Sequence, residues 1–181
     1  MTPVFQTIVD KDHGNCMQAA IASLFDLKLE DVPNFIELED WGLVLHHFFD
    51  DKGYDSCTVN KQRHETTEFL KSVAKFDGGI NGYLYATVPS QTFENGRHAV
   101  IVDTNLNIVH DPNPNQLAFK LTPDDVLDIM VVHDMIIGKT GKLFTKEEWD
   151  NATEEERDKN TYKQSDYSNE LGSLETSKTK L

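Results

Sequence analysis

The chain has 181 residues, with 17 Lys and Arg against 31 Asp and Glu, a formal net charge of −14 and a pI near 4.7. That length suits one domain with a substantial core, and the acidic balance excludes phosphate-backbone binding as the main activity, because Lys and Arg supply that affinity. No apolar run reaches the ~20 residues of a membrane span, the opening MTPVFQTIVDKDHGNC has no secretory pattern, and the two cysteines make neither a disulfide scaffold nor a four-Cys zinc site. These features imply a protein of a reducing cytosol, bound to neither membrane nor nucleic acid.

In chain order, 15–25 (NCMQAAIASLF) reads as a buried helix, with Gly14-Asn15 turning the chain and capping it. LKLEDVPNF is a short helical turn ending near Pro33. In 38–52, Trp41, Leu45 and Phe48/Phe49 recur at helical spacing, and Gly53 fits the position after the end. A short strand over 54–59 precedes a second amphipathic helix over 64–76, with Phe69, Leu70 and Val73 inward and Gly78-Gly79 as its stop. His64 fits the start of that helix. From residue 82 the pattern changes to strands: 82–88, 98–103, 107–110 and 128–137 are rich in β-branched and aromatic residues. Thr122-Pro123 between them reads as a capped helix start. Helices followed by an antiparallel sheet make the fold class α+β. The body spans 1–144. Thr145 and Glu148 form a capping-box pattern opening an acidic helix, 145–159, with Trp149 as its one large apolar anchor. Residues 160–181 have the composition of a disordered tail.

The chemistry centres on Cys16. At the first turn of a helix, unpaired N–H groups favour the thiolate; the competing reading is a small buried hydrophobe. His98 and Asp111 flank a predicted hairpin. With Thr104-Asn105 as its loop, the two fall directly opposite each other, at ~5 Å between Cβ atoms. A bulge or an odd-length loop breaks that register. Thiolate attack on an acyl carbon needs a His as proton carrier, a third polar residue to fix the His tautomer, and donors for the oxyanion. The Cys16 N–H and the amide of Gln6, the only Gln before Cys16, are the candidate donors.

The order Gln6, Asn15-Cys16 opening an Ala-rich helix, Gly96-Arg97-His98-Ala99-Val100 opening a strand and His110-Asp111-Pro112 resembles the papain-like cysteine peptidase superfamily. Its small bacterial and phage members, similar to bacteriocin-processing (leader-cleaving) peptidases, match best. Gln6 lies farther from Cys16 than that superfamily usually places it, and the loop IVDKDHG takes up the difference. The resemblance implies a papain-like fold, with the Cys-bearing helix packed on the sheet. It also implies a Cys16 nucleophile, a His98 base, an Asp111 orienter and a Gln6 oxyanion donor. The substrate is then a peptide, a protein or a small amide, and a phage origin places the chain in host cytoplasm.

No cofactor is implied. A zinc site at His13 and Cys16 lacks a well-spaced second pair, since His46-His47 and His98 with His110 both fit poorly. His46, His47, His110 and His133 have bland readings, His13 could line the loop near Cys16, and Cys57 reads as structural. Two alternatives stay beside the hydrolase: a non-catalytic papain-like protein that binds a host factor, and a thiol acyltransferase. The negative surface steers acidic substrates away.

Overall fold

The computed structural model describes residues 1–61, 66–133, 135–137, 143–145 and 151–160. The chain divides into two compact units, Met1–His133 and Asp134–Leu181. Among the described residues no helix is long and apolar enough to cross a membrane.

The first unit is α+β. Helix α1 (Cys16–Leu24) is followed by two single 3-10 turns, Leu29–Asp31 and Phe35–Glu37, and then by α2 (Trp41–Asp50), β1 (Asp55–Asn60) and α3 (Thr67–Asp77). Strands β2 (Tyr83–Pro89), β3 (Arg97–Asp103), β4 (Ile108–His110) and β5 (Asp128–His133) complete it. They form one antiparallel sheet in the order β1-β5-β2-β3-β4. The strand at 55–60 thus joins the main sheet, along an edge of β5 that the helices-then-sheet pattern leaves unassigned.

Alternation along the strands builds two cores. Ala99, Ile101, Tyr85, Met130 and Val132 pack with α1 and α2. Val100, Val102, Leu84, Ala86, Val88, Ile129 and Val131 pack with Leu70 and Ala74 of α3. Both faces of β3 are therefore covered, which is why AVIV reads as a continuous apolar run rather than an alternating one. Ala19, Ala20 and Ala22 are fully or almost fully buried, and their small side chains let α1 lie close to the sheet.

Several local expectations are corrected. Asn15 does not cap α1 with its side chain. Its Oδ1 instead accepts from the N–H groups of Thr7 and Ile8, at 3.0 and 2.8 Å, holding the N-terminal strap against the helix start. In α3 the inward stripe is Leu70 and Ala74, flanked by half-buried Val73, while Phe69 is exposed. Thr66 caps this helix, accepting from Phe69 N–H, and Gly78 ends it at φ 75°, a conformation only glycine adopts without strain. His64 lies outside the described residues. Thr122 does form a capping box with Asp125, but around a single 3-10 turn, Pro123–Asp125.

The apolar run 128–137 is not one strand. It is divided between β5 and β6 (Met135–Ile137), and β6 pairs antiparallel with β7 (Leu143–Thr145) in a separate hairpin of the second unit. Thr145 is therefore a strand residue, paired with Met135. Also in this unit, α4 (Glu154–Asn160) starts behind Thr153, whose Oγ1 accepts from Glu156 N–H at 3.2 Å. The expected anchor Trp149, the expected capping partner of Thr145, Glu148, and residues 161–181 lie outside the described residues.

Candidate active site

Cys16 begins α1, beside a loop that only glycine closes: a Cβ on Gly14 would sit 2.4 Å from the Asp10 carbonyl oxygen. Helix α1 carries no acidic residue in its first turn, so nothing offsets the positive end of its dipole. The Cys16 thiol faces His98 and the backbone N–H groups of Ala99 and Met17, all of which favour its charged form. Burial raises the thiol pKa, but His98 and these two N–H groups outweigh it and hold the thiol below its ordinary value.

His98 is the second residue of β3 and is mostly buried. Its Nε2 lies 2.6 Å from Asp111 Oδ1, which leaves Nδ1 to meet the sulfur. Burial opposes charge on this imidazole. The bonds to Asp111 and Cys16 overcome that and lift its pKa to about 9. Asp111 is fully buried. Its Oδ1 also accepts from Asn113 N–H and its Oδ2 from Ala118 N–H, both at 2.8 Å. Against the cost of burial, His98 and these two N–H groups keep the carboxyl below its usual range. Between the lowered pKa of Cys16 and about pH 9 the pair therefore rests as a thiolate beside an imidazolium, backed by a carboxylate.

The His98–Asp111 contact forms, but not through the expected register. Asp103 N–H donates to Asn107 O and Leu106 N–H to Asp103 O, so the loop is Thr104-Asn105-Leu106, with Leu106 at φ 66°. A bulge follows: Val102 pairs with Ile108 but Ile101 with His110, leaving Val109 unpaired. Asp111 lies just beyond β4, held by its two backbone donors rather than by a cross-strand pairing. A structural share therefore goes with its orienting role.

Gln6 is buried and lines the same cavity as Cys16. Its backbone N–H donates to Pro112 O at 2.9 Å, and its Nε2 donates to Ile8 O at 3.1 Å. One Nε2 hydrogen remains uncommitted, and Oε1 has no partner among the described residues. His110, beside Asp111, turns to the N-terminal strap: its Nε2 donates to Val4 O at 2.9 Å and its ring packs edge-on to Phe5. Burial, the largest influence, pushes its pKa below the ordinary value and favours the neutral ring. His13 does not line the cavity. It is exposed, with Nδ1 3.0 Å from Glu37 Oε1. Cys57, expected to be structural, is an exposed free thiol.

The cavity holds about 600 Å³. Val9, Ile36 and Trp41, all partly exposed, give it an apolar rim. Tyr85, Thr87, Arg97 and Asp128 line it as well. Sequence reasoning missed these four, although alternation in YLYATV already puts Tyr85 and Thr87 on one face. Burial first, then the charges of Cys16 and Asp128, raise the Tyr85 pKa, so its phenol stays protonated. Among the described residues, the one grouping able to hold a cation is His46, Asp50 and Asp55, which does not line this cavity.

Comparison with protein-family models, curated proteins and solved structures finds no match to this chain.

Proposed function

We propose that this chain is a papain-like cysteine hydrolase that cleaves an amide bond of a peptide, protein or small amide through a thioester. The observation that carries the proposal is the Cys16–His98–Asp111 chain of contacts, opened by a helix N-terminus and set in a cavity. The Cys16 thiolate attacks the carbonyl carbon, and the carbonyl electron pair moves onto oxygen. The Cys16 N–H and one Gln6 Nε2 hydrogen, both without a partner among the described residues, stabilise that oxyanion. His98 Nδ1 gives its proton to the leaving amine as the C–N bond breaks. It then takes a proton from water as the water oxygen attacks the thioester. Collapse releases the acid and restores the thiolate. Asp111 holds the imidazole orientation and stabilises its positive charge throughout.

The test is alkylation by iodoacetamide as a function of pH, read by mass spectrometry at Cys16 and Cys57, in the wild type and in His98→Ala. The proposal expects Cys16 to react rapidly below pH 7 only when His98 is present, with Cys57 behaving as an ordinary thiol. Equal reactivity of the two thiols rejects the enzyme and favours the non-catalytic binding protein. Incubation with a peptide mixture then separates hydrolysis from acyl transfer: new termini against new amides.

A further inference from the structure

Pairing across the sheet sets a row of side chains on the α1 face. Ala99 of β3 is opposite Thr87 of β2, Thr87 is opposite Asp128 of β5, and Asp128 is opposite Asn60 of β1. The row starts beside Cys16, since Ala99 follows His98 along β3 and lines the same cavity as the thiol. With strands spaced ~4.8 Å apart, Thr87 is one strand from that point and Asp128 two. From a carbonyl carbon held at Cys16 an extended glutamine carries its carboxamide ~6 Å, past Thr87, and a hydrogen bond of ~3 Å covers the remaining way to Asp128. All four residues line the cavity.

Asp128, within this row, forms an unusual ion pair with Arg97. The Asp128 side chain is only 4% exposed, and its Oδ2 accepts from Arg97 Nη1 at 2.8 Å, while Arg97 is 65% exposed. Asp128 Oδ1 and the other guanidinium N–H groups have no partner among the described residues. The Thr87 hydroxyl is buried and has no partner among the described residues, and one turn about χ1 exchanges it with the methyl group. A buried hydroxyl of this kind is costly unless something completes it, and the exposed guanidinium N–H groups are open for a ligand to take.

We infer that this row is a specificity subsite for a primary carboxamide, a glutamine side chain next to the scissile carbonyl. The inference rests on the proposed hydrolase. A carboxamide offers N–H donors to Asp128 Oδ1 and a carbonyl oxygen to Arg97 or Thr87, so one neutral group answers both halves of the pair. A lysine head would meet Asp128 already neutralised by Arg97. A glutamate would meet Arg97 already neutralised by Asp128, in a chain of net charge −14. A leucine would desolvate the pair and leave its donors and acceptors unmet.

The experiment uses the full chain with acetyl-Ala-X vinyl sulfones, X being glutamine, leucine, lysine or glutamate. The thiolate adds to the vinyl carbon and a proton goes to the carbon beside the sulfone. Rates are read by intact mass, beside iodoacetamide as a probe that does not reach the row. The glutamine probe is expected to react at least tenfold faster than the other three. Asp128→Asn keeps an acceptor for Arg97 but removes the negative charge, so the glutamate probe should gain on the glutamine probe by about tenfold. Thr87→Val removes an unpartnered hydroxyl; it should fold as stably as the wild type and bring the glutamine rate down several-fold. Iodoacetamide rates stay unchanged in both variants. Equal rates for the four probes, with iodoacetamide still fast at Cys16, overturn the subsite and leave the hydrolase standing. A slow Cys16 toward iodoacetamide removes the hydrolase and the subsite with it.

Discussion

On the α3 face of the sheet, Leu84, Ala86, Val88, Val100, Val102, Ile129 and Val131 close against Leu70 and Ala74 with no polar side chain among them. On the α1 face, the same strands present Ala99, Ile101, Tyr85 and Met130 beneath α1 and α2, then pass to Thr87, Asp128 and Arg97 at the open cavity. The first face is complete, and its cost of disruption is purely one of packing. The second is unfinished, with a half-buried thiol, a buried carboxylate and, among the described residues, buried polar atoms without partners. Alternation within single strands lets one sheet carry both. The dry face supplies rigidity, and the other tolerates groups that destabilise when nothing is bound.

The sharpest division between the faces comes from Cys16→Ala. It should cut hydrolysis at least ~1000-fold, about 4 kcal/mol of transition-state stabilisation, with melting temperature and Cys57 labelling unchanged. Asp111→Ala crosses the division. It removes the imidazole's orienting partner and orphans the Asn113 and Ala118 N–H groups, so activity falls and urea denaturation should show a loss of roughly 3 kcal/mol. Leu70→Ala on the closed face should cost about 2–5 kcal/mol in urea denaturation, with the pH profile of Cys16 alkylation unmoved. A shift in that profile would mean the faces are coupled.

The pH dependence sharpens the comparison without mutation. Hydrolysis should rise as pH passes the lowered Cys16 pKa and fall through about 9, where His98 loses the proton it must give the leaving amine. Alkylation needs no such proton and should persist on the alkaline side. The stabilisation from charged His98 has the same direction: full below pH ~6.5 and lost as pH rises through about 9. The smallest effect belongs to His110→Leu, which removes a donor from Val4 O and should cost about 1 kcal/mol in thermal denaturation, leaving the alkaline limb of hydrolysis in place.

Much of this arrangement is legible in the sequence because its signals are periodic. The Ala-rich helix, the β-branched strands and the Gly78 stop all come from local pattern. The His98–Asp111 contact is legible for a different reason than its register. Leu106 sits at positive φ, a conformation rarely taken by a branched apolar residue, and is held there by complete burial of its side chain. That adds one residue to the loop, and the Val109 bulge adds another. Neither leaves a mark in composition. Asn15 shows the same limit. Its type suits a cap, but a strap arriving from residues 7 and 8 offers its side chain better use. Phe69 is misplaced because Leu70 and Ala74 already fill the contact with the sheet.

The strap also bears on how the chain reaches this state. Val4 and His110 are 106 residues apart, yet one bond joins them, and Gln6 is tied to Pro112 nearby. The β3–β4 hairpin and α1 can each form from neighbouring residues, whereas closing so long a loop costs entropy before any contact offsets it. The reactive thiol should therefore be the last feature to mature during refolding. Its rate of alkylation, followed in time after dilution from urea, would work as a clock for the final step, lagging behind the burial of the α3 face.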